Sequence, residues 1–359
     1  LASLRVLIAG GGTGGHIIPA LAVARELVTR HSAEILFVGT ERGLETRLVP
    51  GAGFQLHLIH VGPLNNVSLA TRVRTLVDIP ASVWACRRLM KDWKPDVVLG
   101  IGGYASGPGV AAALLMHLPT LLFEPNAMPG LANRLAGKRV QGAAVNFPAA
   151  AQWFRNAEVT GVPVRPEFFA VPKYAGPPRL LVFGGSQGAR IFNVHVPAIL
   201  KSLLNAVPEL TVLHQCGARH VETTQAAFTA TGADASRWQV SGFLDDMPAR
   251  FAQASLVLCR SGASTVAELA AAGKASLLVP FAAAADDHQT KNADEMVKAG
   301  AALLLTERDL AAEGKLLQAL RELLGNVNRL AAMGEAARTQ AHPGAAARIA
   351  DRLAELAKR

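Results

Sequence analysis

Short apolar runs recur along the chain, each closed by glycine or a polar turn and followed by residues at helical spacing. In the first half the runs are "RVLIAG", "AEILFVG", "FQLHLIHV", "PDVVLGIGG", "PTLLFE", "GAAVNF" and "AEVTG". Strands alternating with helices predict a parallel sheet of crossover units. A helix is expected from about Ile17 to Arg30 and another near Val110–His117. The proline-dense stretch "GVPVRPEFFAVPKYAGPP" (161–178) ends the pattern and predicts a linker. The pattern then restarts with "RLLVFGGSQGAR" and continues through "LTVLHQCG", "WQVSGF", "ASLVLCRSG", "ASLLVPF" and "GAALLLT". The last ~45 residues carry helical spacing. The fold class expected is α/β: two doubly wound, Rossmann-like domains facing a central cleft.

Length supports two domains, because a single core rarely grows beyond about 250–300 residues and this chain has 359. Half of the residues are apolar and 18% are charged, a balance for a folded enzyme rather than a disordered chain. A formal net charge of +9 suits anionic partners: phosphorylated substrates, an anionic membrane or nucleic acid. No aromatic-interleaved basic groove is evident, so nucleic acid is not expected. Cys86, Cys216 and Cys259 are far apart and give neither a disulfide framework nor a zinc motif, which points to a reducing compartment. No run is long and apolar enough for a spanning helix. "LASLRVLIAG" enters an apolar run at once, with no room for a signal peptide, so the expected location is cytoplasmic, peripheral on a membrane.

Three glycine-rich turns follow predicted strands: Gly10–Gly15, Gly102–Gly109 and Gly184–Gly188. Glycine lets backbone approach a phosphate, and the helix that follows supplies free N–H groups and a positive dipole end. Such turns can hold a diphosphate without lysine or metal, and Gly102, Gly103, Tyr104 and Ser106 of the second are candidates for that role. Gly10, Gly12 and Gly15 also match G-x-G-x-x-G, which leaves a dehydrogenase reading open with Glu41 as its acidic residue. "CRSGASTVAELAAAG" is a turn into a helix, with Glu268 four residues after Ser264. A carboxylate there could accept both hydroxyls of a ribose, although the spacing by itself favours a solvated helix glutamate. In "PFAAAADDHQTKNA", Asp287, His288, Gln289 and Asn292 could line a sugar pocket, while Asp286, Asp287 and His288 lack a third ligand at helical spacing, so no metal is expected. The chain contains no D-x-D.

The motifs "GGTGGH", "LGIGGYASGPG", "EPNAMPG", "GVPVR", "GGSQGAR", "FLDDM", "CRSGASTVAE" and "DDHQTKNA" occur in the order of the MurG family, and the chain resembles that family over nearly its whole length. The resemblance implies a GT-B fold. It also implies transfer of N-acetylglucosamine from UDP-GlcNAc to the C4 hydroxyl of undecaprenyl-diphospho-MurNAc-pentapeptide, which turns lipid I into lipid II in peptidoglycan synthesis. Domains would run over residues 1–163 (acceptor and membrane) and 164–339 (donor), with a last helix, about 340–359, packing back on the first.

Thr13, Gly14 and Gly15 resemble the loop that approaches the donor, and His16 the general base. Asn126 corresponds to a polar residue near the donor sugar, and Arg165 and Ser186 to groups facing the diphosphate. Leu244 resembles the residue whose backbone contacts uracil. Ala263, Ser264, Thr265, Val266, Ala267 and Glu268 resemble the nucleotide-binding turn, with Glu268 on the ribose. Gln289, with Asp287 and Asn292, would read sugar hydroxyls. Pro125 and Val162 depart from the family's "EQN" and "GNPVR", and Leu244 is often isoleucine there.

The stretch Leu69–Lys94 mixes Trp84, Met90 and Trp93 with Arg72, Arg74, Arg87, Arg88, Lys91 and Lys94, which suits either an anionic lipid surface or an ordinary amphipathic pair covering the sheet. The family places such a protein at the cytoplasmic face of the bacterial inner membrane, beside cell-wall synthesis and division proteins, with no cofactor. A transferase using another nucleotide sugar or another lipid acceptor, such as diacylglycerol, and a non-enzymatic nucleotide-sugar binder are the alternatives.

Overall fold

The computed structural model describes residues 3–41, 43–61 and 69–358; the side chains of residues 69–77 and 285 are not described. Arg72 and Arg74 therefore lie outside the described side chains. The chain divides into two compact units, one of residues 1–164 and 344–359, the other of residues 165–343.

The first unit is built on a seven-stranded parallel sheet: β1 (Arg5–Ala9), β2 (Glu34–Thr40), β3 (Gln55–Ile59), β4 (Val97–Gly100), β5 (Thr120–Glu124), β6 (Gly142–Val145) and β7 (Ala157–Val159). Their spatial order is β3-β2-β1-β4-β5-β6-β7. Residues of β4, β5 and β6 are buried throughout, whereas the edge strands β3 and β7 are mostly exposed or half-buried. This is why the central strands read as unbroken apolar runs: helices cover both faces of the sheet. The helix Ala345–Ala357 packs against the helix Gly14–His31, where Arg30 and His31 each meet Asp351 at 2.8 Å.

The second unit carries a six-stranded parallel sheet: β8 (Arg179–Phe183), β9 (Thr211–Gln215), β10 (Trp238–Ser241), β11 (Leu256–Cys259), β12 (Ser276–Leu278) and β13 (Ala302–Leu304), in the order β10-β9-β8-β11-β12-β13. Its core packs Phe192, Leu200 and Leu203 of the helix Arg190–Ala206 against Leu180, Val182 and Leu258.

In each sheet the strand order reverses once, between β1 and β4 and between β8 and β11. Ligands of open α/β sheets sit at such switch points, beyond the carboxyl ends of the strands. The glycine turns after β1, β4 and β8 and the "CRSGAST" turn after β11 all lie there.

Two helices start earlier than their sequence patterns suggest. The first runs over Gly14–His31, because Thr13 takes the extended N-cap conformation and both following glycines are helical. The other runs over Ser106–Leu115.

Candidate functional site

In the first unit the turns after β1 and β4 meet backbone to backbone. A Cβ on Gly103 would stand 2.8 Å from the Gly11 carbonyl oxygen, so no larger residue fits without a shift. His16 occupies the third position of its helix, and its N–H donates to the Thr13 carbonyl at 3.2 Å. The half-buried imidazole packs over the second turn: a Cβ on Gly102 would stand 3.3 Å from its Cε1, and one on Gly103 3.6 Å from its Cδ2. Thr13 and Gly15 are exposed beside it, and Gly14 is half-buried. Gly103 and Tyr104 are half-buried, and Gly102 is buried.

Ser106 differs from the expectation. It is fully buried, its Oγ lies against the Cα side of Gly100, and its hydroxyl has no hydrogen-bond partner among the described residues. Its side chain belongs to the turn's interior rather than to an open anion site.

Two carboxylates that sequence reasoning missed hold this region. Glu124, at the end of β5, is 2% exposed and accepts from Asn126 N (3.0 Å), Asn126 Nδ2 (3.2 Å), Gly130 N (3.1 Å) and Asn133 Nδ2 (2.9 Å). Burial pushes its pKa up, and these four donors hold it back. Asn126 is thereby fixed at the end of β5. Glu45, fully buried, accepts from Gly12 N at 2.8 Å and from Thr40 N at 2.9 Å. With the Gly12 N–H engaged inward, one of the donors that a dinucleotide pyrophosphate needs is already taken, which argues against the dehydrogenase reading.

In the second unit the turn after β8 exposes Ser186 and Gln187, and Gln215 Nε2 donates to the Gly185 carbonyl at 2.9 Å. Arg165 is exposed, with its guanidinium 5.2 Å above the Phe168 ring. The helix Ala263–Ala272 starts from Gly262 with no side-chain cap. Its first-turn N–H groups, at Ala263, Ser264 and Thr265, have no intrahelical acceptor.

One turn further along, Glu268 is half-buried rather than solvated. Burial pushes its carboxyl up to about 7, and the positive charge of Arg165 opposes that rise. No hydrogen bond to it occurs among the described residues, in contrast to Glu45 and Glu124. Val266 and Ala267 share its helix, Val266 buried and Ala267 half-buried. Leu244 is 8% exposed, so its side chain serves the core.

The turn before that helix is tied to the helix His288–Lys298. Ser261 Oγ donates to the Gln289 carbonyl at 2.8 Å, and Asn292 Nδ2 donates to the Ser261 carbonyl at 3.1 Å. Asn292 is completely buried, which corrects its expected contact with a sugar: it holds the turn. Gln289 accepts the Phe281 N–H through Oε1 at 3.0 Å and keeps its amide nitrogen for other partners. Asp287, exposed in the left-handed region at φ 52°, accepts from Thr290 Oγ1.

Arg260, also missed, binds the carbonyls of Val279 and Pro280 at 3.2 and 2.9 Å and pairs with Glu307 at 2.6 Å. It pins the loop from β12 toward the Gln289 helix. A cavity of about 390 Å³ lined by Arg179, Arg237 and Arg250 lies at the amino ends of β8–β10, away from these turns.

The chain matches the glycosyltransferase family 28 N-terminal domain over residues 6–145 and the family 28 C-terminal domain over residues 179–349. It is 46% identical over 363 residues to a UDP-N-acetylglucosamine--N-acetylmuramyl-(pentapeptide) pyrophosphoryl-undecaprenol N-acetylglucosamine transferase of Anaeromyxobacter sp. (strain K). That match covers 99% of this chain and 94% of the relative. A relative of the same name from Solibacter usitatus is 45% identical, covering 98% and 96%. The crystal structure of MurG from Acinetobacter baumannii superposes with a TM-score of 0.84 at 32% identity, covering 98% of this chain and 99% of that one. Identity of this degree over both units means that the chain belongs to glycosyltransferase family 28, in its MurG family of UDP-N-acetylglucosamine--N-acetylmuramyl-(pentapeptide) pyrophosphoryl-undecaprenol N-acetylglucosamine transferases.

Proposed function

We infer that this chain transfers N-acetylglucosamine from UDP-N-acetylglucosamine to N-acetylmuramyl-(pentapeptide) pyrophosphoryl-undecaprenol, the hexosyl transfer that makes lipid II. The observation that carries the reading is the near-full-length identity of about 45% to relatives with that printed activity. The switch-point geometry of each unit agrees with it.

In this reading His16 takes the proton from the C4 hydroxyl of the MurNAc unit. The freed oxygen attacks the anomeric carbon, and the bond to UDP breaks with its electron pair leaving on the diphosphate. A single displacement inverts the α-linkage to β. Thr13, Gly14 and Gly15 approach the donor, Asn126 stands near the donor sugar, and Gly102, Gly103 and Tyr104 meet the acceptor diphosphate. Arg165 and the N–H groups around Ser186 offset the charge on the leaving UDP, as fixed donors aimed at developing charge do. Glu268 accepts the ribose hydroxyls, the helix start at Ala263–Thr265 supplies N–H donors, Leu244 meets uracil through its backbone, and Gln289 and Asp287 read the sugar.

The acceptor carries a lipid, so the chain works at a membrane surface, at the cytoplasmic face in this reading. Among the described residues no helix is long and apolar enough to cross a membrane. Trp84 is 63% exposed on the helix Leu69–Trp93, and Arg87, Arg88 and Lys91 follow at i+3, i+4 and i+7, on the same face. An exposed tryptophan among cations suits an anionic lipid interface. Cell-wall synthesis and division proteins are the partners expected there.

The test is transfer of radiolabelled N-acetylglucosamine to a short-chain lipid I analogue. A labelled disaccharide is expected with UDP-GlcNAc and far less with UDP-glucose. Transfer to diacylglycerol instead, or nucleotide-sugar binding with no transfer, would sink the reading. Thermal-shift screening gives the same discrimination: UDP-GlcNAc should stabilise the protein above UDP-glucose, TDP-sugars and NAD.

A further inference from the structure

Glu45 lies at the start of a short helix after β2, distant in sequence from every glycine turn. Its carboxyl is fully buried; among the described residues it meets no cation and accepts hydrogen bonds from Gly12 N, Thr40 N and Thr40 Oγ1, at 2.8, 2.9 and 3.0 Å. Burying a carboxyl group is costly unless its oxygens find hydrogen-bond donors, and here the backbone of two segments supplies them. The surrounding glycines record that arrangement. A Cβ on Gly11 or Gly43 would collide with the carboxyl, and one on Gly39 would stand 2.6 Å from its Cγ. Thr40 Oγ1 lies 3.5 Å from the Tyr104 hydroxyl, which extends the network from the turn after β1 to the turn after β4. Four residues beyond Gly12 comes His16, packed over Gly102 and Gly103.

We propose that Glu45 is a positioning residue for transfer: by accepting the Gly12 N–H and both Thr40 donors it fixes the Gly11–Thr13 backbone, and so sets His16 against the Gly102–Tyr104 turn. Two carboxylate oxygens match donors on two different segments, Gly12 and Thr40. An amide cannot do this, because its NH₂ would confront one of those donors. The residue touches no substrate and acts only through the loop. The proposal rests on the role given to His16 above.

The experiment compares Glu45→Gln, Thr40→Val, His16→Ala and the Glu45→Gln/His16→Ala double variant in the lipid I analogue assay, alongside UDP-GlcNAc titration and thermal unfolding. Glu45→Gln should lower kcat by about 10²-fold, the loss expected for a catalytic group displaced by about 1 Å. Affinity for UDP-GlcNAc should fall far less than kcat, because most of the groups given to the donor, Arg165, Ser186, Glu268 and Gln289, lie on other elements and only the Thr13–Gly15 approach depends on the braced loop. The double variant should be no slower than His16→Ala alone, since both changes remove one function. Unchanged turnover in Glu45→Gln with a slow His16→Ala overturns the proposal and leaves the function standing. Losses that multiply in the double variant also overturn it. Normal turnover in His16→Ala overturns the role of His16 and this proposal together. Should Glu45→Gln fail to fold, Thr40→Val, which removes only one donor, decides: a severalfold loss of kcat at constant KM supports the proposal and unchanged kcat refutes it.

Discussion

The turns of the two units carry their carboxylates in opposite ways. In the first unit Glu45 and Glu124 are buried and supplied with donors by the protein itself, three for one and four for the other. In the second, Glu268 is half-buried, has a pKa pushed up to about 7 and accepts no hydrogen bond among the described residues. A buried carboxylate supplied with donors by its own chain holds those donors in place, whereas one without them keeps its oxygens available to water or a ligand. In the first unit the acids hold backbone: Glu45 the turn after β1, Glu124 the segment after β5. The second holds its turn with neutral groups, Ser261 and Asn292, and its acid takes no part in that bracing.

The strongest way to break this contrast is His16→Ala. Loss of a general base is expected to lower turnover by about 10²–10⁴-fold. UDP-GlcNAc affinity, measured by calorimetry, should stay near normal; a matching loss of affinity would place His16 on the donor instead.

Next comes Glu268→Ala, which removes the acceptor of two ribose hydroxyls. Hydrogen bonds to a charged group contribute about 1.5–3 kcal/mol, so KM for UDP-GlcNAc should rise by about 10- to 100-fold with kcat much less changed. A fall in kcat at constant KM would put Glu268 on the reacting centre.

The same residue predicts a pH dependence. With the native carboxyl at about 7, affinity for UDP-GlcNAc, whose phosphates do not titrate in this range, should climb about tenfold from pH 6 to pH 8, as the accepting carboxylate forms, and lose that rise in Glu268→Gln. The stability linkage has the opposite slope. The folded state keeps its proton where the unfolded chain, at an ordinary 4.5, has lost it, so this group's contribution falls as pH rises from 4.5 to about 7. Affinity independent of pH across that range would contradict the hydroxyl-accepting role.

Asn292→Ala should cost about 1–3 kcal/mol in denaturant unfolding, because it strands the buried Ser261 carbonyl. A direct sugar contact would instead leave stability alone and raise KM. The smallest effect on chemistry is expected from Trp84→Ala with Arg88→Glu: turnover on a soluble acceptor unchanged, and binding to anionic vesicles in flotation assays lost. Equal flotation of this variant and the parent would remove the helix from the membrane surface.

Most of the architecture was legible because parallel strands buried on both faces must be apolar without interruption. Each of the runs quoted above became a strand. The starts of the helices at Gly14 and Ser106 were not legible, because glycine and serine signal turns and helix N-termini alike. Glu45 and Glu124 escaped notice because nothing local marks them. Each looks like an ordinary polar residue beside a strand end, and only the neighbouring strands turn it inward.

The sequence by itself determined the strand–helix alternation, the family and the identity of His16, Glu268 and Gln289 as chemically eligible groups, since these depend on residue type and order. Only the tertiary structure decided which candidates are buried and what they touch. It buried Ser106 and Asn292, lifted the pKa of Glu268 and placed Glu45 under Gly12. The physical reason is that burial and hydrogen-bond supply depend on which strand ends lie side by side, and the order β2-β1-β4-β5 brings together turns that the chain keeps far apart.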